Sequence, residues 1–132
     1  TMSVKHYLAS GVITIVLTST PTAAHHSMAM FDFNNEASYT GLVRRFDWVN
    51  PHIYIYLEVE RDGETWILRA EGANPLGLRN NGWTRNTMES GERVTLLGNP
   101  MADGTRDEMW ITGVIKEDGT QVGTRGRRDR GN

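Results

Sequence analysis

Residues 52–71 constrain the fold more than any other stretch of the chain. Ile53, Ile55, Leu57 and Val59 alternate with His52, Tyr54, Tyr56, Glu58 and Glu60. Side chains of an extended segment point to opposite faces in turn, so a period of two marks a strand with one buried face. Asp62-Gly63 follows, a pair that accepts the positive φ a two-residue hairpin turn demands. Beyond it, Trp66, Leu68 and Ala70 oppose Ile67, Arg69 and Glu71. A one-residue slip would turn the apolar set outward, so turn and pattern together fix an antiparallel register.

The rest of the chain extends this hairpin into a mainly β domain. Residues 37–49 read as an earlier strand in which both alternating sets contain apolar residues, with Gly41 as a candidate bulge. Asn50-Pro51 separates it from the hairpin. Asn74 can cap a short helix that opens on Pro75 and ends at Asn80-Asn81-Gly82, after which Trp83 packs back on the body. Two more strands follow, Arg93 to Gly98 and Glu108 to Lys116, separated by Pro100 and Asp103-Gly104. Five strands with one short helix between the third and fourth predict a small OB-like barrel. A β-sandwich or open sheet is the alternative. There is no internal repeat.

The N-terminus carries an address signal. Lys5 precedes an apolar run from Leu8 to Leu17, and Thr22-Ala23-Ala24 supplies small residues at its exit. This order predicts a cleavable secretory leader over 1–24, hence a periplasmic or extracellular protein. The run is shorter than the ~20 residues a membrane-spanning helix needs, and no later segment is apolar enough to insert. An uncleaved N-terminal helix is the alternative, weakened by Gly11 and the β-branched residues from Val12 to Val16. The barrel domain is then expected over 25–120, followed by a disordered Arg/Gly-rich tail over 121–132.

Charge and cysteine content narrow the chemistry. Net charge is −2 and there is no cysteine, so neither disulfides nor thiolate metal sites are available. Arg125, Arg127, Arg128 and Arg130 concentrate positive charge in the tail and leave the body acidic. An acidic body lacks the basic footprint of a nucleic-acid binder. The tail is a solvated extension or a weak attractor of anionic partners. No nucleophile elbow, phosphate-cradling loop or HExxH pattern is present, so the domain reads as non-catalytic.

The histidines carry the functional expectation. His6 leaves with the leader; His25, His26 and His52 remain. Cleavage after Ala24 would make His25 the terminal residue, whose amine and ring can hold one metal ion together. With a ring from His52 or His26 this is a histidine brace suited to copper, with zinc as the other choice. Cleavage after Ala23 would remove the brace. In an extended segment His26, Met28 and Met30 share a face and form a soft set suited to Cu(I); the competing reading has both methionines covering the barrel. Asp47, Trp48, Tyr54 and Tyr56 would neighbour the ion. The histidines could equally be exposed or hydrogen-bonded structural groups. Asp32, Asp47 and Glu71 are the carboxylates of interest, but nothing in their spacing says that they meet.

Two further function classes stand beside metal binding. A metal-free binding or assembly module would use the Tyr54–Tyr56 face or a free sheet edge to recruit a glycan, a peptide or a sister subunit, although Glu58 and Glu60 on that face repel phosphates. An oxidative copper enzyme built on the terminal brace is a third, without a visible substrate surface.

Taken together, His25-His26-Ser27-Met28-Ala29-Met30-Phe31-Asp32, Gly41-Leu42-Val43, Trp48-Val49-Asn50-Pro51-His52, Gly82-Trp83, Gly91-Glu92-Arg93-Val94, Gly98-Asn99-Pro100 and Asp103-Gly104 resemble a family of small exported bacterial proteins, domain of unknown function 6152. The resemblance runs from His25 to about Gly119. It implies a leader followed by a small β-barrel-like domain in the periplasm or outside the cell. It implies no particular activity.

Overall fold

The hairpin forms as its residues dictate. Strand β2 (Tyr54–Arg61) pairs antiparallel with β3 (Glu64–Glu71). Asp62 and Gly63 take φ of 54° and 78°, the doubly positive turn that matches the twist of the flanking strands. Ile55, Leu57 and Val59 from β2, with Leu68 and Ala70 from β3, are buried. The computed structural model describes residues 28–124. The leader, His25, His26 and residues 125–132 lie outside the described residues.

Four strands and a helix complete the domain: β1 (Ala37–Asp47), α1 (Pro75–Arg79), β4 (Arg93–Pro100), β5 (Glu108–Lys116) and β6 (Gln121–Gly123). The strand order is β3-β2-β1-β4-β5-β6, and a parallel pairing of β3 with β5 closes the first five into a barrel. This is the expected OB-like architecture, with α1 between β3 and β4. Asn74 caps α1 by accepting a hydrogen bond from the Gly77 amide at 2.8 Å. Leu78 and Trp83 are fully buried in the core, and the Trp83 indole donates to the Gly123 carbonyl at 3.0 Å. Among the described residues no helix is long and apolar enough to cross a membrane.

Two local expectations need correction. The bulge in β1 lies between Val43 and Arg45, not at Gly41. It shifts the alternation by one residue: Gly41 and Val43 are buried before it, while Phe46 and the buried Trp48 pack on the core after it. This change of phase explains why both alternating sets contain apolar residues. Gly41 serves close approach instead, since a Cβ there would run into the Glu58 carbonyl. Secondly, chain order does not stop at residue 120. Gln121–Gly123 pairs with β5, Val122 packs against the core, and the Trp83 indole holds Gly123. An apolar side chain and a waiting donor outweigh the polar composition of the segment.

Gly41→Ala is expected to destabilise the domain by about 3 kcal/mol, because a backbone carbonyl cannot swing aside as a flexible side chain can. Urea denaturation checks this; a loss within the scatter of surface substitutions would remove the close-approach role.

Candidate functional site

His52 sits just before β2, where the ladder to β3 continues through Gly72 donating to the Ile53 carbonyl at 3.0 Å. Its Nδ1 lies 2.9 Å from the Gly72 carbonyl oxygen. A carbonyl can only accept, so Nδ1 carries the proton. In the neutral ring this leaves the lone pair on Nε2. Glu71 Oε1 stands 3.5 Å from the same Nδ1. The His52 side chain is 34% exposed, that of Glu71 only 7%. Glu71 Oε2 is buried with no hydrogen-bond partner among the described residues. The Trp110 ring meets the His52 ring edge-on, centroids 5.7 Å apart. Trp110 arrives because β5 pairs it with Glu71.

The N-terminal segment enters at this point. The chain makes a 3-10 turn over Met28–Met30, and Phe31 then bridges to Met101. Asp32 donates its amide to Pro100 and Ala102 donates to Met30, both at 2.8 Å. Phe31 is buried with its ring 5.9 Å from that of Trp110. Phe31, Trp110 and His52 thus form a series of contacting rings. The turn corrects the expectation of an extended segment: at three residues per turn, side chains two apart diverge by about 120°. Met28 and Met30 do not share a face, and Met28 is largely exposed. His25 and His26 lie outside the described residues. Among the described residues no group of three or more His, Cys, Asp or Glu side chains is placed to hold a metal.

The other predicted site residues fall in two places. Trp48 is a core residue, packed edge-on against Phe46. The remainder lie on the outer face of the sheet in two cross-strand rows. One row runs Asp47–Tyr54–Glu71–Trp110, the other Arg45–Tyr56–Arg69–Glu108. The Arg45 guanidinium lies 3.9 Å over the Tyr56 ring, and Arg69 stands 5.4 Å from that of Tyr54. Both arginines are also ion-paired, Arg45 to Asp47 at 3.1 Å and Arg69 to Glu108 at 3.0 Å. The three carboxylates therefore do not meet. Asp47 serves Arg45, and Asp32 accepts first from the Asn35 side chain and then from the Asn34 amide, which hold its carboxyl below the usual range. Glu71 alone stands beside His52.

A family model described as a family of unknown function, DUF6152, matches residues 13–110. The chain belongs to this family. No curated protein matches it. The DUF6152 match takes in every strand of the closing face up to Trp110, along with His25, His26 and His52. A separate groove of about 700 Å³, lined by Glu92, Arg93, Lys116 and Asp118 among others, contains none of the predicted site residues.

Trp110, and the placing of Glu71 beside His52, are what residue-by-residue reading of the DUF6152 chain missed. The hairpin register places Glu71 opposite Tyr54, which was a usable signal. Trp110 comes from a parallel pairing that no turn announces. The Tyr54 phenol is pushed above its ordinary value of 10.0, first by burial, then by the Glu71 charge, with Arg69 opposing. The folded chain therefore keeps this proton to higher pH than the unfolded chain. The associated stability is present below about pH 10 and is lost as pH rises through the higher folded value. Tyr54→Phe should lose less stability than the parent over that window. Urea midpoints measured against pH check this, and equal slopes for the two proteins would contradict it.

Proposed function

We propose that the mature chain is an exported, non-catalytic OB-like module that binds a transition metal, copper before zinc, through His25, His26 and His52. The observation that carries this reading is the tethered imidazole. Ligating histidines commonly donate their second ring nitrogen to a carbonyl or carboxylate, which fixes the tautomer and aims the other nitrogen. His52 Nδ1 has such a carbonyl at 2.9 Å and a carboxylate at 3.5 Å, leaving Nε2 as the ligating atom.

Chain reach supports the rest. Phe31 is one ring away from the ring that touches His52. The six residues back to His25 span up to ~20 Å when extended, more than those two ring contacts require. Leader removal after Ala24 gives His25 a free amine whose pKa near 8 lets copper displace its proton at neutral pH. The diverging methionines leave imidazole and amine nitrogens as the donor set, which suits copper or zinc. Asp47 and Tyr54 lie in the cross-strand row of Glu71, and Tyr56 lies in the row beside it. The metal-free alternative would use those tyrosines, but a glycan or peptide would first have to displace arginines already tied to carboxylates.

Protein purified from the exporting compartment is expected to have an intact mass starting at His25 and to carry bound copper. Copper titration of this form and of His52→Ala should show a loss of at least about tenfold, ~1.4 kcal/mol. Equal affinities would remove the shared site.

A further inference from the structure

We propose that this chain associates head to tail, the apolar end of one copy seating in the charged groove of the next. The apolar end is built by α1 and the β1–β2 loop. Leu76 is 70% exposed and Val49 48%. Arg79 stands one turn after Leu76 on the same side of α1. Its guanidinium lies 6.0 Å over the ring of Trp48, the neighbour of Val49. The Ile53 amide donates to the Ala73 carbonyl at 3.3 Å and ties the two segments together. Leu76, Val49 and Arg79 therefore share one end of the barrel. Residues 48–53 and 72–88 contain Arg79 and Arg85 but no Asp or Glu, in a chain with 16 acidic residues. Among the described residues neither arginine has a carboxylate within ion-pairing distance.

The groove of about 700 Å³ has the complementary character. Leu42 and the buried Val94 give it an apolar floor. Glu117 and Asp118 stand exposed on the turn after β5, with no cation paired to them among the described residues, while Glu92 holds Lys116 at 3.4 Å. Arg93, the other cation of the lining, sits beside Leu42 across the strand pair. An aliphatic tip backed by a cation thus meets an apolar floor with two carboxylates on its rim. Arg93 sets the orientation, because Arg79 of the incoming copy is attracted on the Glu117 side and repelled on the Arg93 side. One copy cannot fill its own groove. Leu42 and Trp48 are separated by six positions of extended chain, roughly 15–20 Å, and both ends are fixed on the same barrel. A second copy is therefore the occupant. The contact joins two different patches, so each new copy leaves an apolar end and a groove free, and growth continues unless the rotation closes a ring. A footprint of a few side chains places the association at the weak end of specific contacts.

Sedimentation of the full chain from about 10 μM to about 1 mM, the weak range of specific binding, should show a mass that rises past the dimer. A chelator in every sample keeps metal bridging out, so the result does not depend on the metal reading above. Leu76→Asp blocks the apolar end and Glu117→Lys blocks the groove. Both positions are exposed, and circular dichroism verifies that each variant is folded. Each should weaken self-association by about tenfold or more. Leu76→Asp keeps an intact groove and Glu117→Lys an intact apolar end, so mixing the two should restore one contact and stop at a 1:1 dimer. Arg79→Glu combined with Glu117→Lys in one chain should associate more tightly than either single variant; should Leu76→Asp not fold, this comparison decides. A chain that stays monomeric up to the highest concentration, association that neither substitution weakens, or a mixture no heavier than its components would each overturn the proposal. So would a monomer that binds phosphatidylglycerol vesicles through Leu76, which would assign the apolar end to a membrane surface.

Discussion

Closure of the sheet through three residues of β3 and three of β5 governs everything else in this molecule. Arg69, Ala70 and Glu71 pair in parallel with Glu108, Met109 and Trp110. The inward residues of the pairing, Ala70 and Met109, join the core, and the outward ones build the surface around His52. The ladder is short, and side groups reinforce it. Arg69 bridges to Glu108, its amide donates to the Asp107 carbonyl at 2.8 Å, and the Trp66 indole donates to Arg106 at 3.2 Å. Without this seam the end of β3 and the start of β5 would be open edges, which recruit other strands. With it, one short stretch of β3 serves both the core and the site.

The same seam explains the economy of the site. Glu71 would be an ordinary exposed strand-end residue in an isolated hairpin. Trp110 covers it from one side and His52 from the other, so a surface carboxylate becomes a buried one. Phe31 then covers Trp110 and fixes where the N-terminal segment meets the barrel. Each step is a consequence of the one before: strand closure, burial of the carboxylate, orientation of the imidazole, entry of the terminus.

Much of the barrel was legible because local signals and pattern agreed. Asp62-Gly63 and the alternation around it set β2 and β3, while Asn74-Pro75 set α1. The failures share a physical cause. The bulge at Arg44 reads in sequence as a strand apolar on both sides, since nothing local marks where alternation changes phase. β6 is held by the Trp83 indole and by Val122 against the core, contacts with no short-range signature. The turn at Met28–Met30 answers to Phe31 docking on Trp110, a residue far away in the chain. As for the candidate site, His52 and its outward direction were readable, and the hairpin register implied Glu71 beside Tyr54. The burial of Glu71 was not readable, because a parallel pairing is fixed by packing rather than by a turn.

In the proposed centre, the two halves of the donor set differ in kind. His52 belongs to a barrel whose core, from Val43 through Trp83 to Val114, is filled by apolar side chains and is complete among the described residues. Such a domain does not need a metal to bring its strands together, unlike small domains in which ligand binding supplies the folding energy. His25 and His26, by contrast, precede the described residues, and the proposed terminal amine would exist only after leader removal. The barrel presents a tethered imidazole beside a buried carboxylate, and in the proposed centre a processed terminus would supply the remaining nitrogens. A centre arranged in this way separates folding from loading. Under that proposal, capture of metal by the untrimmed chain would be disfavoured, because the amine that completes the chelate would still be locked in a peptide bond.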